Sequence, residues 1–374
     1  MSRRILFYPA ALLLFAATAC KTAPAVSVET PDESAPSAQP VTADEAQVPT
    51  EQPVRFEAVA VSTPEGVEEH RTLIARDDLE ARWIDCAPGL GVAIGLEGAR
   101  QPVGRLLLHD QHLYIVSLDD ENNTQIAGYE LVLDEGTCRI DARPDFADGG
   151  ILALGSGSID VDLFGDLLVS TGTQTRVFDA QGVALEGVCE HLPSLTRLRG
   201  AGPHGVARRS GDNLHRATID RSTCAISPLP KLAGEETLGM HLALSPSQNL
   251  YATLHMGSVA NALGYFEEGR LAWRYFAGND TVTERMNLVS GFSVLGEDLL
   301  LIRSLPRILQ VISPKAERRL ELDLNSDEGL PKLSYPYAAA SLDANRALVA
   351  FRNHEPESEA VTASLRLLTL SAKK

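Results

Sequence analysis

A short phrase recurs down this chain: a polar residue, two to five mostly apolar residues, then a turn. It reads "HLYIVSLDDENN", "DLLVSTGTQ", "NLYATLHMGS", "EDLLLIRSLP" and "NRALVAFRNHE". Runs of that length, bounded by Gly, Asn, Asp and Ser, predict short strands, and the helical period is hard to find beyond residue 54. Aligning the copies on Leu113, Leu167, Leu250, Leu299 and Ala347 leaves gaps of 54, 83, 49 and 48 residues. The wide gap takes one more copy, "HGVARRSGDN" at 204–213, near Val206. A period of about 40–54 residues is the signature of a repeat made of one four-stranded sheet.

The order within a unit agrees. Residues 238–277 read as four strands, "GMHLALSPSQ", "NLYATLHMGS", "ALGYFEEG" and "RLAWRYFAG", and 158–190 repeat the phrase as "SIDVDLFG", "DLLVSTG", "TRVFDAQG" and "VALEGVCE". Closing strands of the same kind stand at "TCRIDARP", "TCAISPLP" and "ERRLELDL". Such a sheet cannot cover both its apolar faces alone, so neighbours must stack around an axis, which predicts an all-β fold, a β-propeller of four-stranded antiparallel blades. The stretch "NLYATLHMGSVANALGYFEEGRLAWRYF", with Gly269 and Trp273 before its last strand, resembles a repeat of the quinoprotein-type (PQQ-like) propellers. "IDVDLFGDLLVSTGTQTRVFDAQG" is more similar to an NHL or YVTN-type repeat. These resemblances imply the architecture and no cofactor, because no quinone ligand set is recognisable.

The ends set the blade count. The last repeat, "YPYAAASLD", "RALVAFRNHE", "ASLRLLTLSA", stops one strand short, while "LEARWIDCAP" at 79–88 resembles the closing strands. Pairing 79–86 with the C-terminal strands closes the ring without a free edge and gives six blades. Residues 54–77 then become extra strands, packed outside or filling a channel mouth. Seven blades, the first built from 54–86, is the alternative, and a pair of β-sandwiches a third.

The N-terminus carries an address. Arg3 and Arg4 precede an apolar run from Ile5 to Ala19, shorter than the roughly 20 residues a spanning helix needs. Ala17-Thr18-Ala19-Cys20 resembles a bacterial lipobox. The resemblance implies a signal peptide at 1–19, diacylglyceryl attachment to Cys20 and further acylation of its amine, which together hold a chain stably on a bilayer. Lys21 is not the aspartate that in many bacteria retains lipoproteins at the inner membrane, so the outer membrane is the expected location. Ser2–Phe7 also resembles a twin-arginine export signal without its usual lysine. Residues 20–53 are expected to be an extended tether, with six prolines and no aromatic residue between Thr22 and Pro53, before a propeller domain at 54–374.

A formal net charge of −17 argues against an electrostatic grip on nucleic acid and on anionic lipid, so the lipid must supply membrane attachment. Four further cysteines, Cys86, Cys138, Cys189 and Cys224, suit two disulfides in an exported chain, with three possible pairings, or buried thiols. No GxSxG elbow, HExxH, Walker loop or GxGxxG is present. "DLNSDEGLPK" places Asp323, Asn325 and Asp327 at alternate positions, but Gly329 falls one place late for a calcium loop and no acid ends it. His204, His241 and His255 are the candidate metal ligands at a channel rim, against the plainer reading of ordinary polar rim residues. The expected function is a non-enzymatic binding or scaffolding lipoprotein that meets another envelope protein. The alternative is an enzyme or small-ligand receptor using the central channel, with polar groups from at least three blades converging there.

Overall fold

The computed structural model describes residues 66–374 apart from short interruptions, the longest at 277–288. The expected signal peptide, Cys20 and the tether lie outside the described residues. Among those described, the regular elements are all strands. β1 (Glu68–His70), β2 (Ile74–Ala75) and β3 (Leu79–Pro88) come first. β4 (Gln101–His109), β5 (His112–Leu118), β6 (Asn123–Asp134) and β7 (Thr137–Ala142) follow as a meander, with β8 (Ile151–Ser156) added to β6. β9 (Asp160–Phe164), β10 (Asp166–Ser170) and β11 (Thr175–Phe178) make a three-stranded sheet. β12 (Leu195–Ala201), β13 (His204–Arg209), β14 (Leu214–Ile219) and β15 (Cys224–Pro228) make a four-stranded one. Two more meanders run through β16 (Glu236–Leu244), β17 (Leu250–Met256), β18 (Val259–Glu267) and β19 (Arg270–Phe276), then β20 (Val289–Leu295), β21 (Asp298–Arg303), β22 (Ile308–Ile312) and β23 (Glu317–Asp323). β24 (Ser334–Ser341), β25 (Arg346–His354) and β26 (Val361–Ala372) end the chain.

The aligned residues Leu113, Leu167, Val206, Leu250, Leu299 and Ala347 fall on β5, β10, β13, β17, β21 and β25, the second strand of each group, and all are buried. Those strands read as continuous apolar runs because neighbouring sheets cover both of their faces. Leu299 to Ile302 are fully enclosed, for instance, and each such side chain contributes about 2 kcal/mol of burial. β24, by contrast, alternates buried and half-buried residues along its length, as a strand with one dry face does. The buried apolar residues fall into clusters that bridge groups adjacent in sequence, and one of them joins the first group to the last. Single side chains also cross these seams: Trp273 Nε1 donates to the Pro314 carbonyl at 2.6 Å, and the Tyr251 hydroxyl to that of Glu297 at 2.9 Å.

β3 closes the ring. It pairs antiparallel with β26 from Leu79↔Ala372 to Cys86↔Leu365, as the terminal repeats predict, and its last residues pair parallel with β7, Cys86 opposite Cys138. The result is β-propeller-like: four blade-like sheets, and one nine-stranded sheet in which β3 joins two groups. The extra N-terminal strands lie on outer edges, β1 parallel to β19 and β2 parallel to β23. Residues 68–88 thereby form a belt over successive outer strands, fastened by ion pairs of Glu69 with Arg274, Arg76 with Glu317, Asp77 with Arg318, Asp78 with Arg319, and Asp85 with Arg366.

One predicted strand is absent. "VALEGVCE" at 183–190 makes only a single bridge, Phe178↔Ala184, so this sheet stops at three strands. The cause is local: Gly187 and Cys189 have φ of 75° and 61°, which no extended strand tolerates, and Cys189 is bonded to Cys224 of β15. The second disulfide joins Cys86 to Cys138.

Candidate functional site

The first strands β4, β9, β12, β16, β20 and β24 abut one another in cyclic order, with β24 returning to β4. Together they enclose an axial cavity of about 390 Å³, within the range of pockets that hold small molecules. Its wall mixes aliphatic side chains with polar ones, among them Arg105, Asp162, Arg199, His241, Ser290 and Tyr337.

All of these polar residues but Asp162, whose strand pairs without a slip, share a structural cause. Pairing slips between the first and second strands of five groups, at Gln101–Arg105, Thr196–Arg199, Leu238–Leu242, Val289–Gly291 and Pro336–Ala338. Arg105 and Arg199 stand at the end of such a slip; His241, Ser290 and Tyr337 stand inside one. A bulge breaks the alternation of a strand and re-aims a side chain, here toward the axis. The slip in β12 holds Arg197 at φ 54°, a left-handed backbone that costs a non-glycine residue of order 1 kcal/mol. Gly200 follows, and its hydrogen is required: a Cβ would stand 1.7 Å from the Leu163 carbonyl oxygen. The close approach of β12 to β9 therefore depends on glycine.

Arg105 is fully engaged. Its guanidinium bonds Asp162 and the Val161 carbonyl, with Asp160 at 3.2 Å and the Leu198 carbonyl at 3.3 Å. Asp160 also accepts from the Leu198 amide at 3.0 Å, so one arginine ties three groups together. Burial pushes the Asp162 carboxyl above its usual range, against the pull of Arg105 and Arg199. Arg199 differs in its partners. Its Nε donates to the Leu242 carbonyl at 2.6 Å and its Nη1 to the Leu198 carbonyl, and among the described residues it forms no salt bridge. Burial, and then Arg105 nearby, lower its pKa to about 10, which leaves it charged at neutral pH. His241, packed 5.7 Å from the Phe292 ring, is lowered to about 4 by burial and by Arg199, so its ring is neutral.

Of the histidines singled out in the sequence, His241 lies in the cavity. His204 is exposed at the start of β13, its Nδ1 3.3 Å from the Thr218 hydroxyl. His255 pairs with Thr237 and Ala260 in the ladder, and its side chain lies outside the described residues. Among the described residues no cluster of three His, Cys, Asp or Glu is placed to hold a metal. In the calcium-like stretch, Asp323 accepts from the Asn325 amide at 2.9 Å and side chain at 2.7 Å, an ordinary Asx turn; Asp327 and Gly329 lie outside the described residues. The arginines were missed in the sequence, though a signal exists: these polar cavity residues stand five (Asp162 before Leu167) to ten (Tyr337 before Ala347) positions ahead of an aligned residue.

No known sequence family and no curated protein matches the chain. Among solved structures it is similar to the PQQ-bound aldose sugar dehydrogenase of Streptomyces coelicolor, at TM-score 0.44 and 14% identity over 79% of this chain and 99% of that one. It is similar to a gluconolactonase of Xanthomonas campestris, at TM-score 0.42 and 13% identity over 80% and 97%. A third is YCF48 bound to D1 peptide, at TM-score 0.41 and 11% identity over 80% and 99%. No ligand or activity passes from these proteins to this chain.

Proposed function

We propose that this chain is a lipid-anchored binding module of the cell envelope: a six-bladed propeller, moored through Cys20, that recognises a ligand without transforming it. The observation that carries the reading is the convergence of Arg105, Asp162, Arg199 and His241, from four first strands, on one axial cavity. Six blades are supported by the cyclic contact of six first strands and by the β3–β26 pairing. Seven would need a strand group before β3, whereas β1 and β2 sit on the outer edges of other sheets. Recognition without catalysis is supported by the state of His241. An acid or base works best with a pKa near the operating pH, and this ring titrates near 4.

The lipid anchor rests on the Ala17–Cys20 stretch and the outer-membrane location on Lys21. Among the described residues no helix is long and apolar enough to cross a membrane. A scaffolding role toward another envelope protein belongs to the same reading, with the propeller loops as the docking face. Labelled palmitate fed to the producing cells should enter the wild type and not Cys20→Ala, which should leave the membrane fraction. Capture from detergent-solubilised envelopes should then return a reproducible protein or small molecule. Equal palmitate labelling of both chains would refute the anchor, and repeated empty captures would refute the binding role.

A further inference from the structure

We propose that Arg199 is the anchor of a site for a small organic monocarboxylate, bound in the axial cavity between β12, β16 and β20. The inference rests on the channel reading above and names its ligand class.

Three observations converge on Arg199. Its charge is unmatched in contact: the acceptors of Nε and Nη1 are the neutral carbonyls of Leu242 and Leu198, and the neighbouring carboxylates, Asp160 and Asp162, are held by Arg105. It lines the cavity, with Nη2 making no hydrogen bond among the described residues. It also follows the strained bulge at Arg197, and strain kept in an otherwise regular strand accompanies a demand on side-chain direction. A cation in a half-dry site whose direct acceptors are neutral carbonyls is costly, and its pKa, drawn down to about 10 despite the nearby Asp160 and Asp162, reports that cost. An incoming anion relieves it.

The surroundings choose among anions. Asp160 and Asp162 are in contact with Arg105, so Arg199 presents one positive charge to the cavity, which matches a monoanion. A phosphate dianion would add repulsion from Asp162 in the same wall. A planar carboxylate fits the guanidinium fork, which a point-like halide does not exploit. Beside Arg199 stand the neutral His241 ring, Phe292, and the aliphatic Leu242 and Ala243. An apolar body attached to the carboxylate would rest there.

The full-length protein in detergent would be titrated with acetate and benzoate, with their neutral counterparts acetamide and benzamide, and with inorganic phosphate, following Tm and heat of binding. Benzoate should raise Tm and bind at least 10-fold tighter than benzamide or phosphate. Arg199→Gln should weaken benzoate at least 10-fold, and Arg199→Lys should keep part of the affinity. The wild-type comparison of benzoate with benzamide stands even where Arg199→Gln fails to fold. Equal binding of benzoate and benzamide overturns the carboxylate assignment and leaves the channel reading intact. Preference for phosphate, silence of both carboxylates, or undiminished benzoate binding in Arg199→Gln overturns it as well.

Discussion

Cys86 and Cys138 stand opposite each other on parallel strands, their Cα atoms 4.4 Å apart, and their disulfide latches the strand that closes the ring onto the group the ring began with. β3 thus belongs to two sheets at once. The bond spans a sequence separation of 52 residues, and the chain-entropy account gives a loop of that size about 4 kcal/mol. Replacing both cysteines by serine should lower the unfolding free energy by up to about that amount in urea titrations. Hydrogen exchange should quicken first in β3 and β7, before β21 or β25. Uniform loss of protection would contradict the latch.

Among the described glycines, Gly200 makes the narrowest backbone approach. Its missing Cβ makes room for the Leu163 carbonyl oxygen, a backbone atom that has no rotamer to give. Gly200→Ala should destabilise by about 3 kcal/mol, the upper end of overpacking costs. Gly172, beside open space, should tolerate alanine with little change. Chemical denaturation of the two variants makes the comparison.

The belt should be stability-bearing at Glu69. Its carboxylate meets Arg274, a side chain only 1% exposed, across the β1–β19 pair. Glu69→Gln keeps the shape and removes the charge, and should cost about 2 kcal/mol, the worth of a charged hydrogen bond. Asp78→Asn, in the exposed pair with Arg319, should cost under about 1 kcal/mol. A reversed order would contradict the belt as described.

His241 gives the protein an acid-sensitive term. The unfolded ring binds a proton near 6.5 and the folded ring only near 4, because burial and Arg199 disfavour the cation. Between those values the unfolded state holds more protons, so stability falls as pH falls, by about 3 kcal/mol in all. Below about 4 this loss is complete. Asp162 acts with the opposite sign, since its raised carboxyl loses stability as pH rises through its titration. His241→Gln should flatten the decline between pH 6.5 and 4 and leave the Asp162 contribution in place. Urea midpoints at pH 4.5 and 7 for both proteins would show it; equal slopes would contradict it.

Much of the architecture was legible because stacked sheets impose a visible grammar. Leu113, Leu299 and Ala347 sit in apolar runs that only a strand covered on both faces requires, and 79–88 imitates the closing strands because it is one. The fourth strand expected at 183–190 failed for a reason that composition hides: Cys189 is held at positive φ and tied to Cys224. Disulfide pairing was illegible for the same cause, being set by which strands meet. The site was mostly illegible too. Bulges decide which of the residues on a first strand face the axis, and a slip of one or two positions leaves no mark in hydrophobic pattern. Nothing in the local sequence around Arg199 and Ser290 therefore marks them as lining the axis.

A protein that binds at its axis should lose its ligands when the axis is filled. Thermal shifts against a panel of small metabolites, run in parallel on wild type and on Ser293→Trp, whose indole would fill the cavity beside Phe292, test that most directly. The expected result is that compounds raising the wild-type Tm lose their effect in the filled variant. Shifts of equal size in both proteins, or none across the panel, would contradict it.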